Sequence, residues 1–115
     1  MGISDVAVLN DLILNDNSLI EKPFVKDLPE RTILVVGELA ILTCEVSGDP
    51  EPSVTWSKDG DTNIPRAQLK NDGRILAIKD VLPIDSGVYE CKASNKLGEN
   101  RSSTTVIVAG KLHWL

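Results

Sequence analysis

An all-β fold of short antiparallel strands, closed as a two-sheet sandwich or a barrel, is what this sequence predicts. Three observations carry that expectation. Turn-forming Gly, Pro, Asn and Asp recur at short intervals. The runs between them are rich in β-branched residues and alternate with period two, and no helical period is sustained from Pro23 onward. About seven such runs can be marked, which suits a single small all-β domain.

Pro23, Pro29 and Gly37 punctuate the entry to the fold. LAILTCEV (39–46) sets Ala40, Leu42, Cys44 and Val46 on one face, because successive side chains of a strand point to opposite sides. After the turn residues GDPEP (48–52), SVTWS does the same with Val54 and Trp56. KDGD (58–61) and NDG (71–73) bracket a stretch holding Arg66, and RILAIKDV (74–81) places Leu76 with Ile78. DSG (85–87) precedes a run in which Tyr89, Cys91 and Ala93 share a face; NKLGEN (95–100) precedes one in which Thr104, Val106 and Val108 do. Turning these faces inward buries both cysteines, Trp56 and Tyr89 in one layer between two sheets.

The bulk properties narrow the function classes. A length of 115 residues allows one domain with one core. A net charge of −5 without clusters of Lys and Arg argues against nucleic acid and against an anionic membrane surface. No apolar run approaches the ~20 residues that span a bilayer. The opening MGISDVAVLNDLILNDN carries acids where a secretory signal carries bases, and the chain reads as an excised piece of a longer protein. Residues 1–22, with their doubled LND, read as a linker or upstream segment, and 110–115 as a tail.

Cys44 and Cys91 cannot make a tetrahedral zinc site with one histidine, so they are either small buried hydrophobes or one disulfide. Cys44, Trp56, Tyr89 and Cys91 together resemble the Cys…Trp…Tyr-x-Cys core of the immunoglobulin superfamily. The family pattern L-x-I-x-x-V-x-x-x-D-x-G-x-Y-x-C is complete in Leu76, Ile78, Val81, Asp85, Gly87, Tyr89 and Cys91. With KPFV, Gly37-Glu38, GDPEPSVTWSKDG and ASNKLGE, the stretch 23–109 resembles the intermediate, or I-set, class.

The resemblance implies a Greek-key immunoglobulin-like β-sandwich in which Cys44 and Cys91 pair beneath Trp56. It also implies that Asp85 pairs with Arg66, and that the Tyr89 hydroxyl bonds back to the turn before its strand. The crosslink would close a loop of 47 residues and contribute about 4 kcal/mol.

Little in the sequence suggests chemistry. His113 stands in the tail with no nucleophile near it, and there is no glycine-rich phosphate cradle. Asp49, Glu51, Asp59 and Asp61 lie near two turns without the spacing of a calcium loop, and read as solvated turn acids. The expectation is no enzyme, no metal and no cofactor.

Two features carry functional content. Asn100-Arg101-Ser102 is an N-glycosylation sequon, placed at the turn before the last strand. With Ala40, Leu42, Leu76 and Ile78 inward, Leu39, Ile41, Ile75 and Ala77 must point outward, giving an apolar patch on one sheet. Its occupant is the N-terminal segment VAVLNDLIL, a neighbouring domain or second copy, or a different protein. The loops 49–52 and 95–100 are the second choice of contact surface.

What the resemblance implies for function is protein recognition inside a larger extracellular adhesion or receptor protein. The alternative is a spacer and docking domain of a cytoplasmic muscle or cytoskeletal filament protein. The partners expected are other proteins, neighbouring domains of the same type, or a second copy.

Overall fold

The first strand is split between two sheets. In the computed structural model, which describes residues 20–110, β1 (Glu21–Val25) pairs antiparallel with β4 (Val46–Asp49). The chain then crosses through Pro29, and β2 (Arg31–Val35) runs parallel to β9 (Gly98–Ala109) on the other layer. Leu28 N–H donates to Ser102 Oγ at 2.8 Å and Thr105 N–H to the Glu30 carbonyl at 3.0 Å, which holds the crossover down. Except for 20–22 and Gly110, the expected flanking segments lie outside the described residues, as do His113 and VAVLNDLIL.

The two layers form an immunoglobulin-like sandwich. One is the four-stranded sheet β2-β9-β8-β5, with β8 at Gly87–Asn95 and β5 at Ser53–Lys58. The other is β3-β7-β6, with β3 at Ala40–Thr43, β7 at Ile75–Ile78 and β6 at Gln68–Lys70. β4 prolongs β3 after a change of hydrogen-bond partner. Cys44 N–H still donates to the Arg74 carbonyl at 2.7 Å, and one residue on, the Glu45 carbonyl accepts from Lys26 N–H at 2.9 Å. The divided first strand and this change of partner give nine strand segments where sequence alternation marks about seven. The parallel pairing of β2 is invisible to alternation, which fixes faces and not directions.

Thirteen buried residues form the core, among them Leu42, Cys44, Trp56, Leu76, Val81, Tyr89 and Cys91. The Cys44–Cys91 disulfide joins the layers across 6.3 Å between Cα atoms. Trp56 sits directly opposite Cys91 in the β5–β8 ladder, and its indole N–H donates to the Gly73 carbonyl at 2.7 Å. A buried indole needs that partner, since an unmet donor costs about 1–3 kcal/mol.

One glycine is demanded by a close approach. A Cβ at Gly87 would lie 2.7 Å from Asp59 Oδ2, and Asp59 Oδ1 is already held by the Val88 N–H at 2.9 Å. The sequence D-x-G before Tyr89 therefore keeps space for an acid contributed by the end of β5.

Candidate interaction surface

The most specific residues of the sequence converge on the corner between β7 and β8. A 3-10 turn, Pro83–Asp85, ends in an Asp85 that is only 3% exposed. Arg66 Nε donates to Asp85 Oδ1 at 2.8 Å, and Leu82 N–H donates to Oδ2 at 2.8 Å. Arg66 Nη2 also reaches the carbonyls of Asp80 (2.9 Å) and Lys79 (3.2 Å). The Tyr89 hydroxyl donates to the Asp85 carbonyl at 2.6 Å. Asp85 thus anchors two chain segments through its side chain and the next strand through its backbone.

A cavity of about 430 Å³ opens beside this corner, lined in part by Lys58, Asp59, Ile64, Arg66, Ile84 and Tyr89. Most of its polar groups are engaged with one another. Lys58 Nζ donates to the Ile84 carbonyl at 2.6 Å, Asp59 holds Val88 N–H, and Arg66 holds Asp85. The four turn acids do not assemble. Glu51 pairs with Arg74 near the start of β5, whereas Asp59 and Asp61 follow its end, where Asp61 accepts the Asn63 N–H at 2.9 Å. Among the described residues no group of three or more His, Cys, Asp or Glu is placed to hold a metal ion.

The loops 49–52 and 95–100 meet at the opposite end, braced rather than free. Asn95 Nδ2 donates to the carbonyls of Glu21 (2.8 Å) and Pro50 (3.0 Å), and its Oδ1 accepts the Leu97 N–H at 2.8 Å. Gly98 takes the positive φ of 151° that returns the chain into β9. Asn100 lies inside β9, opposite Ala93, and not at the turn. It is exposed, with Nδ2 donating to the Pro23 carbonyl at 3.3 Å.

The outer face of β3–β7 corrects the sequence reading at one position. Leu39 and Ile41 are 54% and 56% exposed, and Ile75 is partly so, but Ala77 is only 4% exposed. The cause is its place in the ladder: Ala77 is on the central strand, flanked by the longer Ile41 and Gln68. It lies outside the core cluster, so it forms the floor of the patch and Leu39, Ile41 and Ile75 form its relief.

A second exposed apolar group was not read from the sequence. Ile33, Val35, Val88 and Ile107 stand outward on the opposite, four-stranded sheet. The signal was available in TILVV (32–36) and in Ile107 between the buried Val106 and Val108.

A two-layer sandwich bridged by a disulfide beneath a tryptophan, with a tyrosine bonded back to its corner, defines an immunoglobulin-type module. The chain belongs to the immunoglobulin I-set family: the Immunoglobulin I-set domain model matches residues 23–108. It is similar to fibroblast growth factor receptor homolog 1 of Drosophila melanogaster, 34% identical over 90% of this chain and 14% of the relative. It is 36% identical to vascular endothelial growth factor receptor 2 of Mus musculus over 76% of this chain and 7% of that protein. Among solved structures it resembles a chain of a titin–obscurin-like 1 Ig complex, with TM-score 0.70 and 33% identity over 81% of this chain and 99% of that one. The chain thus spans a small fraction of the receptors it matches, and its relatives include both receptor and muscle domains.

Burial, reinforced by the carboxylates of Asp85 and Asp59 and opposed by Arg66, pushes the Tyr89 phenol up to about 12. The folded value lies above the ordinary ~10, so this group's stabilisation is complete below pH ~10 and is lost as pH rises towards 12. Tyr89 is the single tyrosine, so the phenolate absorbance reports it alone. A midpoint near 12 in the native chain, falling to ~10 in denaturant, is expected. A native midpoint at ~10 contradicts the buried corner.

Proposed function

We propose that this domain is a non-catalytic protein-recognition module of a larger extracellular receptor or adhesion protein, with the outer face of β3–β7 as its contact surface. The observation that carries this is the exposed aliphatic relief of Leu39, Ile41 and Ile75 above Ala77. Cross-strand rows Ile41–Ala77–Gln68 and Thr43–Ile75–Lys70 give that relief a polar border, the layout of a small interface with a dry centre. Burying each large aliphatic side chain contributes roughly 1.5–3 kcal/mol, so three of them outweigh the braced loops of the far end as an anchor.

The extracellular placement is supported by the disulfide, by the receptor relatives and by the sequon at Asn100, which we propose carries a glycan. A second reading, a docking domain of an intracellular filament protein, is favoured by the 33% identity to a chain of the titin–obscurin-like 1 complex. In both, the module acts through side-on protein contacts.

Changing Leu39 and Ile41 together to Thr tests the contact surface. Both are exposed, so the unfolding free energy should move by about 0.5 kcal/mol or less per site, while association with a neighbour, a second copy or a partner is lost. Unchanged association, read from solution mass and pull-down with the parent protein, removes the face from consideration. The compartment is read from the intact mass of the segment in its parent, isolated from native tissue without reductant. A bridged cysteine pair and sugar on Asn100 are expected; free thiols and a bare Asn100 would move the domain to the filament class.

A further inference from the structure

The outer face of the four-stranded sheet is divided along its strands, apolar at one end and charged at the other. At the apolar end Ile33 and Ile107 are cross-strand partners, Val35 opposes Ala109, and Arg31 and Val88 flank Thr105. Ile33 is 65% exposed, and Val35, Val88 and Ile107 are exposed as well. The buried Val106 and Val108 alternate with Ile107 and Ala109, so the pleat that builds the core aims these side chains outward.

At the charged end Glu90, Lys92, Glu99 and Arg101 neutralise one another. Arg101 meets Glu99 at 3.0 Å and Glu90 at 3.5 Å, and Lys92 meets Glu99 at 3.8 Å. Two acids against two bases leave this end without net charge, so nothing there selects a strongly acidic or basic partner. Arg31 is the one charge among the apolar rows, and it forms no ion pair among the described residues. Asn100 has the opposite alternation on β9 and bonds towards Pro23, so a glycan there leaves this face clear.

Such a face is complementary to itself. Ile33 and Ile107 stand side by side on β2 and β9, so a two-fold axis along the groove between those strands lays Ile33 of each chain on Ile107 of the other, and Val35 on Ala109. That axis keeps the strand direction, so apolar rows meet apolar rows. It also sets Arg31 over Thr105 of the other chain, whose Glu90 stands one strand and one outward row away. Those steps are about 5 and 7 Å in the plane of the sheets, within reach of a guanidinium. Strands about 4.8 Å apart, the longest running roughly 40 Å, give the staggered face about 500 Å² in plan. A standard interface takes about 800 Å² per partner, so the area fits a reversible pair and not a permanent one.

We propose that two copies of this chain associate transiently, face to face, through the outer side of β2-β9-β8-β5, with Ile33 on Ile107 across a two-fold axis and Arg31 paired to Glu90 between chains. The module then has two contact faces, one on each sheet, and this one is homophilic. The inference is independent of the role given to Leu39 and Ile41, which lie on the other sheet.

The test is sedimentation equilibrium of the full chain from micromolar to millimolar concentration, with thermal unfolding as the control for folding. A concentration-dependent dimer is expected. Ile33→Glu sets a carboxylate in the aliphatic contact and should weaken the dimer by about tenfold or more. Arg31→Glu should weaken it less, and Arg31→Glu with Glu90→Arg should recover it. Within one chain these two positions stand two strands and one row apart, roughly 12 Å, so only contact between chains makes them a pair. A chain that stays monomeric to millimolar concentration overturns the proposal, whatever else covers the face. So does a dimer that survives Ile33→Glu, one that the charge exchange fails to recover, or one lost when Leu39 and Ile41 are changed to Thr. If Ile33→Glu does not fold, the charge exchange still decides.

Discussion

A single buried carboxylate, that of Asp85, sets the geometry on which the rest of the sandwich depends. It is almost wholly removed from water, yet both oxygens are met, one by Arg66 from the β5–β6 connection and one by the Leu82 backbone within its own turn. Its carbonyl takes the Tyr89 hydroxyl. A buried charge left unpaired is costly by several kcal/mol, so these partners are fixed together or not at all. Fixing them sets where β8 begins, and therefore which β8 residues face inward. Tyr89, Cys91 and Ala93 fall into the core from that starting point, and Cys91 arrives opposite Trp56 and in bonding distance of Cys44.

This has a consequence for function. The residues that identify the family are nearly all spent on the interior or on the corner, and their polar groups are satisfied within the fold; no buried side-chain nitrogen or oxygen among the described residues lacks a partner. What distinguishes one such module from another must lie on the faces that the framework leaves open. Here those faces carry aliphatic side chains on both sheets, at Leu39, Ile41 and Ile75 on one and at Ile33, Val35, Val88 and Ile107 on the other. A rigid, crosslinked frame suits that division, because surface substitutions there change recognition at small cost to stability.

Much of the interior was legible in the sequence because period-two alternation is a direct readout of the pleat. Ala40, Leu42 and Cys44 on β3 and its continuation, and Thr104, Val106 and Val108 on β9, are buried as their spacing indicates. What alternation does not encode is the neighbour. Ala77 reads as an outward residue, and it is covered because Ile41 and Gln68 flank it across two ladders that no single strand reveals. The parallel β2–β9 pairing and the change of partner between β3 and β4 escape for the same reason. NKLGEN is rich in turn formers and so places Asn100 at a turn, whereas the reversal needs only Lys96 and Leu97 between paired Asn95 and Gly98. The outward Ile107 is legible in the same alternation, since it stands between the buried Val106 and Val108.

The dependence on Asp85 is tested most directly by a double-mutant cycle. Arg66→Ala, Asp85→Ala and the double variant are compared with the unsubstituted chain by denaturant unfolding under native pH. Each single change is expected to destabilise, and the pair to show a coupling of about 1–3 kcal/mol, because removing Arg66 leaves the buried Asp85 carboxylate without its cation, while removing Asp85 takes away the acceptor of both Arg66 and the Leu82 N–H. Additivity within about 0.5 kcal/mol would contradict a corner held together by this ion pair and would place the origin of the β8 register elsewhere in the core.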